Sequence, residues 1–339
     1  MTLSISRVLV LLSLVIFSAH SVSAEVNVYS ARKEALIKPI LDDFSEQTGI
    51  KVNLITGDAD ALISRMKSEG QFSPADVLIS TDVGRLVRAK ELGITQANTD
   101  EVILKTVPAY LRDEDLHWTA LTLRARPIMY AKDRIDPASL STMQALTNKE
   151  WKNRICIRSS NNIYNQSMIS GMIQTQGEAQ TLAWAKGLVA NFARTPKGGD
   201  RDQIKAVVAG ECDVAIANTY YLAGMLNADD EATRKTAQQV AVFWPDQDTI
   251  GTHVNISGAS VAKYAKHLEA AKALIRFMLT DKAQVWYAET NHEYPVKEGI
   301  KWSQTLQDMG TFKAQEVSLS KVGETNAKAL MLMDSAGWR

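Results

Sequence analysis

The chain has 339 residues, of which 45% are hydrophobic and only two are cysteine, and its 38 lysines and arginines balance 38 aspartates and glutamates. Zero formal charge, with no basic or acidic block, argues against nucleic acid and anionic membrane surfaces as partners. An even cysteine count suits one disulfide in an oxidising compartment, with two buried free thiols as the alternative.

Residues 1–24 read as a signal peptide. Arg7 supplies the positive start, residues 8–17 an apolar core, and Val22-Ser23-Ala24 a small-residue cleavage site before Glu25. That apolar run is short of the roughly 18 residues a membrane span requires, and no later stretch approaches it. The mature chain is therefore expected to be exported and soluble, an uncleaved anchor being the weaker alternative. About 315 residues remain, enough for two lobes with a core each.

The mature chain opens with strand-like Val26-Asn27-Val28-Tyr29. Ile37, Ile40, Leu41 and Phe44 then recur at helical spacing until Gly49 stops the helix. A strand at 52–55, a helix at 61–68, a strand at 75–80 and a helix capped by Asp82 follow. This βαβαβ order predicts a mainly parallel sheet with helices on both faces. A long extended stretch, 117–131, breaks the rhythm and is placed to carry the chain into a second lobe. The alternation restarts with a strand at 154–158, helices between 164 and 191, a helix at 200–209, a strand at 213–218 and a helix opened by Tyr220 or Tyr221. A second extended stretch, 253–262, carries the chain back, and an amphipathic helix covers 268–279. Two crossings imply an α/β protein of two lobes, discontinuous in sequence, with a ligand cleft between them.

Three tyrosines fall at strand ends in the second lobe. Tyr164 follows Ile155-Cys156-Ile157-Arg158, and Tyr220-Tyr221 closes the run from Cys212. The cysteines thus lie near two neighbouring strands, where a disulfide would tie them together. Paired tyrosines often do no more than pack their rings. A phenol ionises near pH 10, so three of them ligate only a metal hard and charged enough to displace their protons, and ferric ion fits that description.

At this point the chain resembles the periplasmic ferric-ion-binding proteins, the solute-binding components of ABC iron importers. The matching segments are Val28-Tyr29-Ser30-Ala31-Arg32, Leu123-Arg124-Ala125-Arg126-Pro127 and the run from Arg158 to Ser167. They continue with Asn218-Thr219-Tyr220-Tyr221, Gly251-Thr252-His253-Val254-Asn255-Ile256-Ser257-Gly258 and Glu293-Tyr294-Pro295-Val296. The resemblance implies a type II two-lobed binding-protein fold, with residues 25–123 plus 248–300 in one lobe and 124–247 plus 301–339 in the other. It implies periplasmic location, no catalysis, a monomer, and a separate permease and ATPase as partners. Carried over residue by residue, Tyr164, Tyr220 and Tyr221 would ligate ferric ion. Lys33 and Glu34 stand where some members place a first-lobe ligand, which resembles the subgroup that completes the shell with carbonate or water. Arg124 would then hold the anion, in preference to Arg126, although residues two apart on a strand share a face.

Other candidates have plainer readings. His117, His253 and His292 are scattered, with no paired spacing, and read as packing residues. Glu34, Asp58 and Asp60 read as helix-start residues, entry of Asp60 or Glu34 into the cleft being the less favoured reading. Tyr29 reads as packing or outer hydrogen bonding, Trp151, Trp184, Trp244 and Trp286 as core, and Gly198-Gly199-Asp200-Arg201 as a loop and cap. The rival functions are a binding protein for another small anion or solute, and an exported non-haem iron enzyme, for which no two-His, one-carboxylate set is visible.

Overall fold

A computed structural model describes residues 24–339; the expected signal peptide lies, except for Ala24, outside the described residues. Two sheets carry the molecule. In the first, β1 (Glu25–Ser30) runs parallel to both β2 (Lys51–Thr56) and β3 (Val77–Ser80). Helices α1 (Lys38–Thr48) and α2 (Ala59–Glu69) make the intervening crossovers, and α3 (Val83–Glu91) follows β3. Alternation along the strands divides their side chains between two faces. Val28, Val77 and Ile79 enter one core with Ile40, Leu41 and Phe44 of α1, while Tyr29 and Leu78 enter another with Leu62, Ile63 and Met66 of α2.

The expected parallel order ends there. Beyond β3 the first sheet turns antiparallel. After the short β4 (Thr95–Gln96) come β5 (Thr119–Ala125) and β6 (Ile128–Ala131). Together these occupy the long extended stretch, but they belong to different sheets. β5 lies in the first sheet, paired antiparallel with a later strand at Val254–Ala262, whereas β6 opens the second sheet. Pro127 lies between them; lacking an N–H, it suits the point where one ladder ends and another begins.

The second sheet has the order β7 (Ile155–Cys156), β8 (Val214–Ile216), β6, β9 (Val240–Phe243). β7 and β8 are parallel, with Ile155 opposite Val214 and Cys156 opposite Ala215. Cys156 and Cys212 form the disulfide, their Cα atoms 5.8 Å apart. Helix α4 (Glu101–Thr106) packs in the first core, whereas α5 (Ile163–Gln176), α6 (Glu178–Ala190), α7 (Asp200–Val208) and α8 (Thr219–Leu226) accompany the second sheet. The chain returns through β10 (Val254–Ala262), and β11 (Tyr294–Pro295) pairs with β5 at the first sheet's edge.

The C-terminal segment departs from the expected division. The resemblance places residues 301–339 in the second lobe, yet Leu306, Leu319 and Val322 are buried in the first core, and the second is joined from Ala329 onward, by Ala329, Leu332, Met333 and Trp338. The chain thus crosses a third time, just before Asn326. Gly323 permits the close approach there, since a Cβ on it would lie 2.4 Å from the Val87 side chain. The lobes are also latched directly. Asp82 caps α3 by accepting from the Gly84 N–H, and the same oxygen accepts from Ser167 Oγ of α5 at 2.8 Å.

Candidate metal centre

The tyrosines meet because β7 and β8 are parallel neighbours whose following segments start helices at the same end of the sheet, α5 packing on one face and α8 on the other. Tyr164 is the second residue of α5, and Tyr220 and Tyr221 are the second and third of α8. Tyr220 Oη donates to Tyr164 Oη at 3.2 Å, and the rings of Tyr220 and Tyr221 lie 4.2 Å apart between centroids. Amino ends of helices present unpaired N–H groups and a positive potential, which favour negative charge on a phenol.

Arg124 reaches this cluster from the other sheet. It stands near the end of β5, opposite Asn255 of β10. Its guanidinium carbon is 5.2 Å from the centroid of the Tyr164 ring and 5.9 Å from that of Tyr220. The side chain is 1% exposed; Nη1 donates to Ser257 Oγ at 2.9 Å, Nη2 stands 3.7 Å from Asp82 Oδ2, and among the described residues neither Nε nor Nη2 has a hydrogen-bond partner. Buried donors without partners are costly, so these two groups would gain from an acceptor placed beside them.

Arg126 has a different position. β5 stops at Ala125, so the common face assumed for residues two apart on a strand does not extend to Arg126. Its guanidinium turns into the second lobe and is held by Asp200 Oδ1 at 2.8 Å, Asn218 Oδ1 at 3.1 Å and Asn165 Oδ1 at 2.6 Å. Asp200 also accepts from Arg158 at 2.7 Å and from the Asn218 N–H at 2.9 Å. Burial pushes its carboxyl towards neutrality, but Arg126 and Arg158 outweigh that and hold its pKa below the ordinary value. Arg158 extends over the Tyr164 ring at 5.6 Å, and Arg201 over Tyr221 at 5.1 Å.

Burial raises the pKa of Tyr220, and the neighbouring Tyr164 and Tyr221 add to the rise while Arg124 opposes it. Tyr221 is raised as well, first by burial and then by Tyr164 and Asp200. Both phenols therefore keep their protons at neutral pH unless a strong Lewis acid displaces them. Arg124 holds its charge firmly: burial alone would lower its pKa, but Tyr220, Tyr164, Glu293 and Asp82 more than compensate.

The remaining candidates separate cleanly. Lys33 and Glu34 are exposed. Asp58 caps α2 through the N–H groups of Asp60 and Ala61. Asp60 pairs with Arg88 at 2.7 Å and Arg85 at 3.5 Å and does line the cleft, in a cavity of about 600 Å³ shared with Arg158, Asn162 and Asn326. Tyr29 is buried and donates to Glu69. His253 is buried beside Arg124 and Arg126, with Nδ1 3.2 Å from Gln315 Oε1. Among the described residues no three His, Cys, Asp or Glu side chains form a metal-ligating group. The charge pairing of Arg158 and Asp200, the contact of Asp82 with Ser167 beyond its expected cap, and the buried position of Glu293 are not legible in the sequence. The only available signal was an ionisable residue directly after an apolar strand, as at Arg158, or directly at a helix start, as at Asp82 and Asp200.

Residues 29–285 match the family described as bacterial extracellular solute-binding protein. The chain belongs to that family. It is 46% identical to iron uptake protein A1 of Synechocystis over 93% of this solute-binding protein and 88% of the relative, and 28% identical to the major ferric iron-binding protein of Neisseria meningitidis over 97% and 98%. Among solved structures, Trichodesmium IdiA (FutA) in complex with iron and citrate superposes with a TM-score of 0.91 at 43% identity, covering 93% of this chain and all of that one. The ferric binding protein of Campylobacter jejuni gives 0.88 at 38% identity, again over 93% and 100%. The resemblance drawn from the sequence segments and the two-lobed α/β fold are both borne out by these relatives.

Proposed function

We propose that this solute-binding protein is a periplasmic ferric-ion carrier, in which Tyr164, Tyr220 and Tyr221 ligate the metal and Arg124 holds a small anion, carbonate or bicarbonate, that completes the shell with or without water. The observation that carries the reading is the meeting of three phenols from two helix starts of one lobe beneath a buried, partly unpartnered arginine of the other. Three phenolates offset the three charges of ferric ion, so the buried core is neutral. An added anion makes it negative, and the fixed guanidinium answers that charge while donating hydrogen bonds. Ligands on one lobe with anion and latch contacts on the other make the metal interact better with the closed form, which is what closure requires.

The relatives named for iron uptake and ferric binding support the same cargo, and the family role is binding for transport rather than catalysis. Among the described residues no helix is long and apolar enough to cross a membrane. In this reading the first 24 residues direct export and are removed. The lobes divide after β5, near residue 248 and again before Asn326, and the loaded monomer delivers iron to a separate permease driven by its ATPase. The test is to add ferric ion and bicarbonate to purified protein and record the visible spectrum. Tyrosinate-to-iron charge transfer should appear as an orange to purple band; a colourless protein with no tight iron binding overturns the proposal.

A further inference from the structure

Three of the segments that mark this chain as a family member supply no ligand: the one ending at Arg32, the one containing Ser257 and the one beginning at Glu293. The fold brings all three to one buried point behind Arg124. Glu293 is 3% exposed, and its Oε2 accepts from Arg32 Nη2 at 2.5 Å, from Ser257 Oγ at 3.1 Å and, over a very short contact, from Thr122 Oγ1. Ser257 Oγ in turn accepts from Arg124 Nη1 at 2.9 Å, the sole side-chain hydrogen bond that Arg124 makes among the described residues. Its remaining contact with an acid, Asp82 at 3.7 Å, is beyond hydrogen-bonding reach.

A hydroxyl has one proton. Ser257 points that proton at Glu293 and thereby presents only lone pairs to Arg124, so the carboxylate fixes which way the serine dipole faces. Arg32 keeps the carboxylate ionised: burial would push Glu293 up, but Arg32, Arg124 and Thr122 lower it further than burial raises it. The network therefore clamps one edge of the Arg124 guanidinium, whose carbon stands 5.2 Å from the Tyr164 ring centroid, while Nε and Nη2 have no hydrogen-bond partner among the described residues. Removing the carboxylate would free the hydroxyl to rotate, and Arg124 would lose the one contact that sets its direction.

We propose that Glu293 is a positioning residue for the iron site, acting through Ser257 to aim the two unpartnered donors of Arg124 at the anion. The inference rests on the ferric-carrier reading above. Outer partners that orient a metal's surroundings commonly contribute about 10- to 100-fold in affinity.

The test is the bicarbonate dependence of the ferric charge-transfer band in wild type, Ser257→Ala, Glu293→Gln and the double variant, with thermal melting recorded in parallel. Each single variant should require about tenfold more bicarbonate for half-maximal colour. The double variant should be no worse than either single one, because both break the same connection. Unchanged bicarbonate dependence, or losses that simply add, would overturn the proposal even if melting temperatures fall. Should Glu293→Gln fail to fold, the small deletion Ser257→Ala decides the matter alone: a wild-type bicarbonate requirement sinks the idea. A wild type that shows no band refutes the ferric-carrier reading itself and is thereby distinguishable from failure of the relay.

Discussion

Tyr220→Phe removes one hydroxyl from the centre of the proposed iron site and leaves the ring. In the wild type its phenolate would lie roughly 6 Å from the Arg124 guanidinium, taking the 5.9 Å from ring centroid to guanidinium carbon as the scale. Two unit charges at that separation attract by ~3 kcal/mol at an effective dielectric constant of about 20. Losing that attraction alone lowers iron affinity by about a hundredfold, and the missing coordination bond lowers it further. The proton count changes too. Each phenol that binds must release its proton, so the variant should release one proton fewer per iron. The assay is competition against a chelator across pH: affinity should rise with pH about tenfold per unit less steeply in the variant than in wild type. Contributions from the chelator and from bicarbonate are common to both proteins and cancel in the difference. A variant with unchanged slope and an affinity within a few-fold of wild type would refute the assignment of Tyr220 as a ligand.

Further outcomes concern stability. Asp200→Asn leaves Arg126 and Arg158 without their shared buried counter-charge and should cost about 3–5 kcal/mol in denaturant unfolding. Because the Asp200 pKa is held below its unfolded value, its contribution is present at neutral pH and lost only as pH falls below about 4, so the variant should flatten that acid limb. His253 is lowered to about 4 by burial, with Arg126 and Arg124 also opposing its protonation despite the hydrogen bond with Gln315. Its unfolded form takes up the proton first, so stability should decline by roughly 3 kcal/mol as pH falls from about 6.5 to 4. His253→Gln should remove that decline in pH-dependent melts; a full decline in the variant would exclude His253 as its source. Replacing both Cys156 and Cys212 by serine opens a loop of 56 residues in sequence separation and should cost about 4 kcal/mol on the chain-entropy account, read as a lower denaturation midpoint. An unchanged midpoint would show that the unfolded chain is not constrained by the bridge.

Local pattern made much of the fold legible. The 3.6-residue spacing of Ile40, Leu41 and Phe44, the stop at Gly49 and the cap at Asp82 all reappear, because each depends on a few neighbouring residues. Gly49 takes the left-handed conformation that a helix end requires, with φ of 72°. The antiparallel half of the first sheet was not legible. It is built by β5 and β10, strands more than a hundred residues apart, and neither strand's own sequence reveals its partner. The third crossing was missed for a related reason. Leu319 and Val322 look like any amphipathic helix residues, and only the shape of the first core decides that they are buried there.

Sequence alone determined the kinds of group available: tyrosines at strand ends, arginines at the first crossing, and family-like segments spread along the chain. Those are matters of local propensity and of residue chemistry, which survive without coordinates. Tertiary structure decided what each group does. It set Arg124 above the tyrosines with two donors free, turned Arg126 away onto Asp200, and gathered Arg32, Ser257 and Glu293 behind the site. Direction and partnership of a buried charge depend on contacts between residues distant in sequence, and only the packed lobes create them.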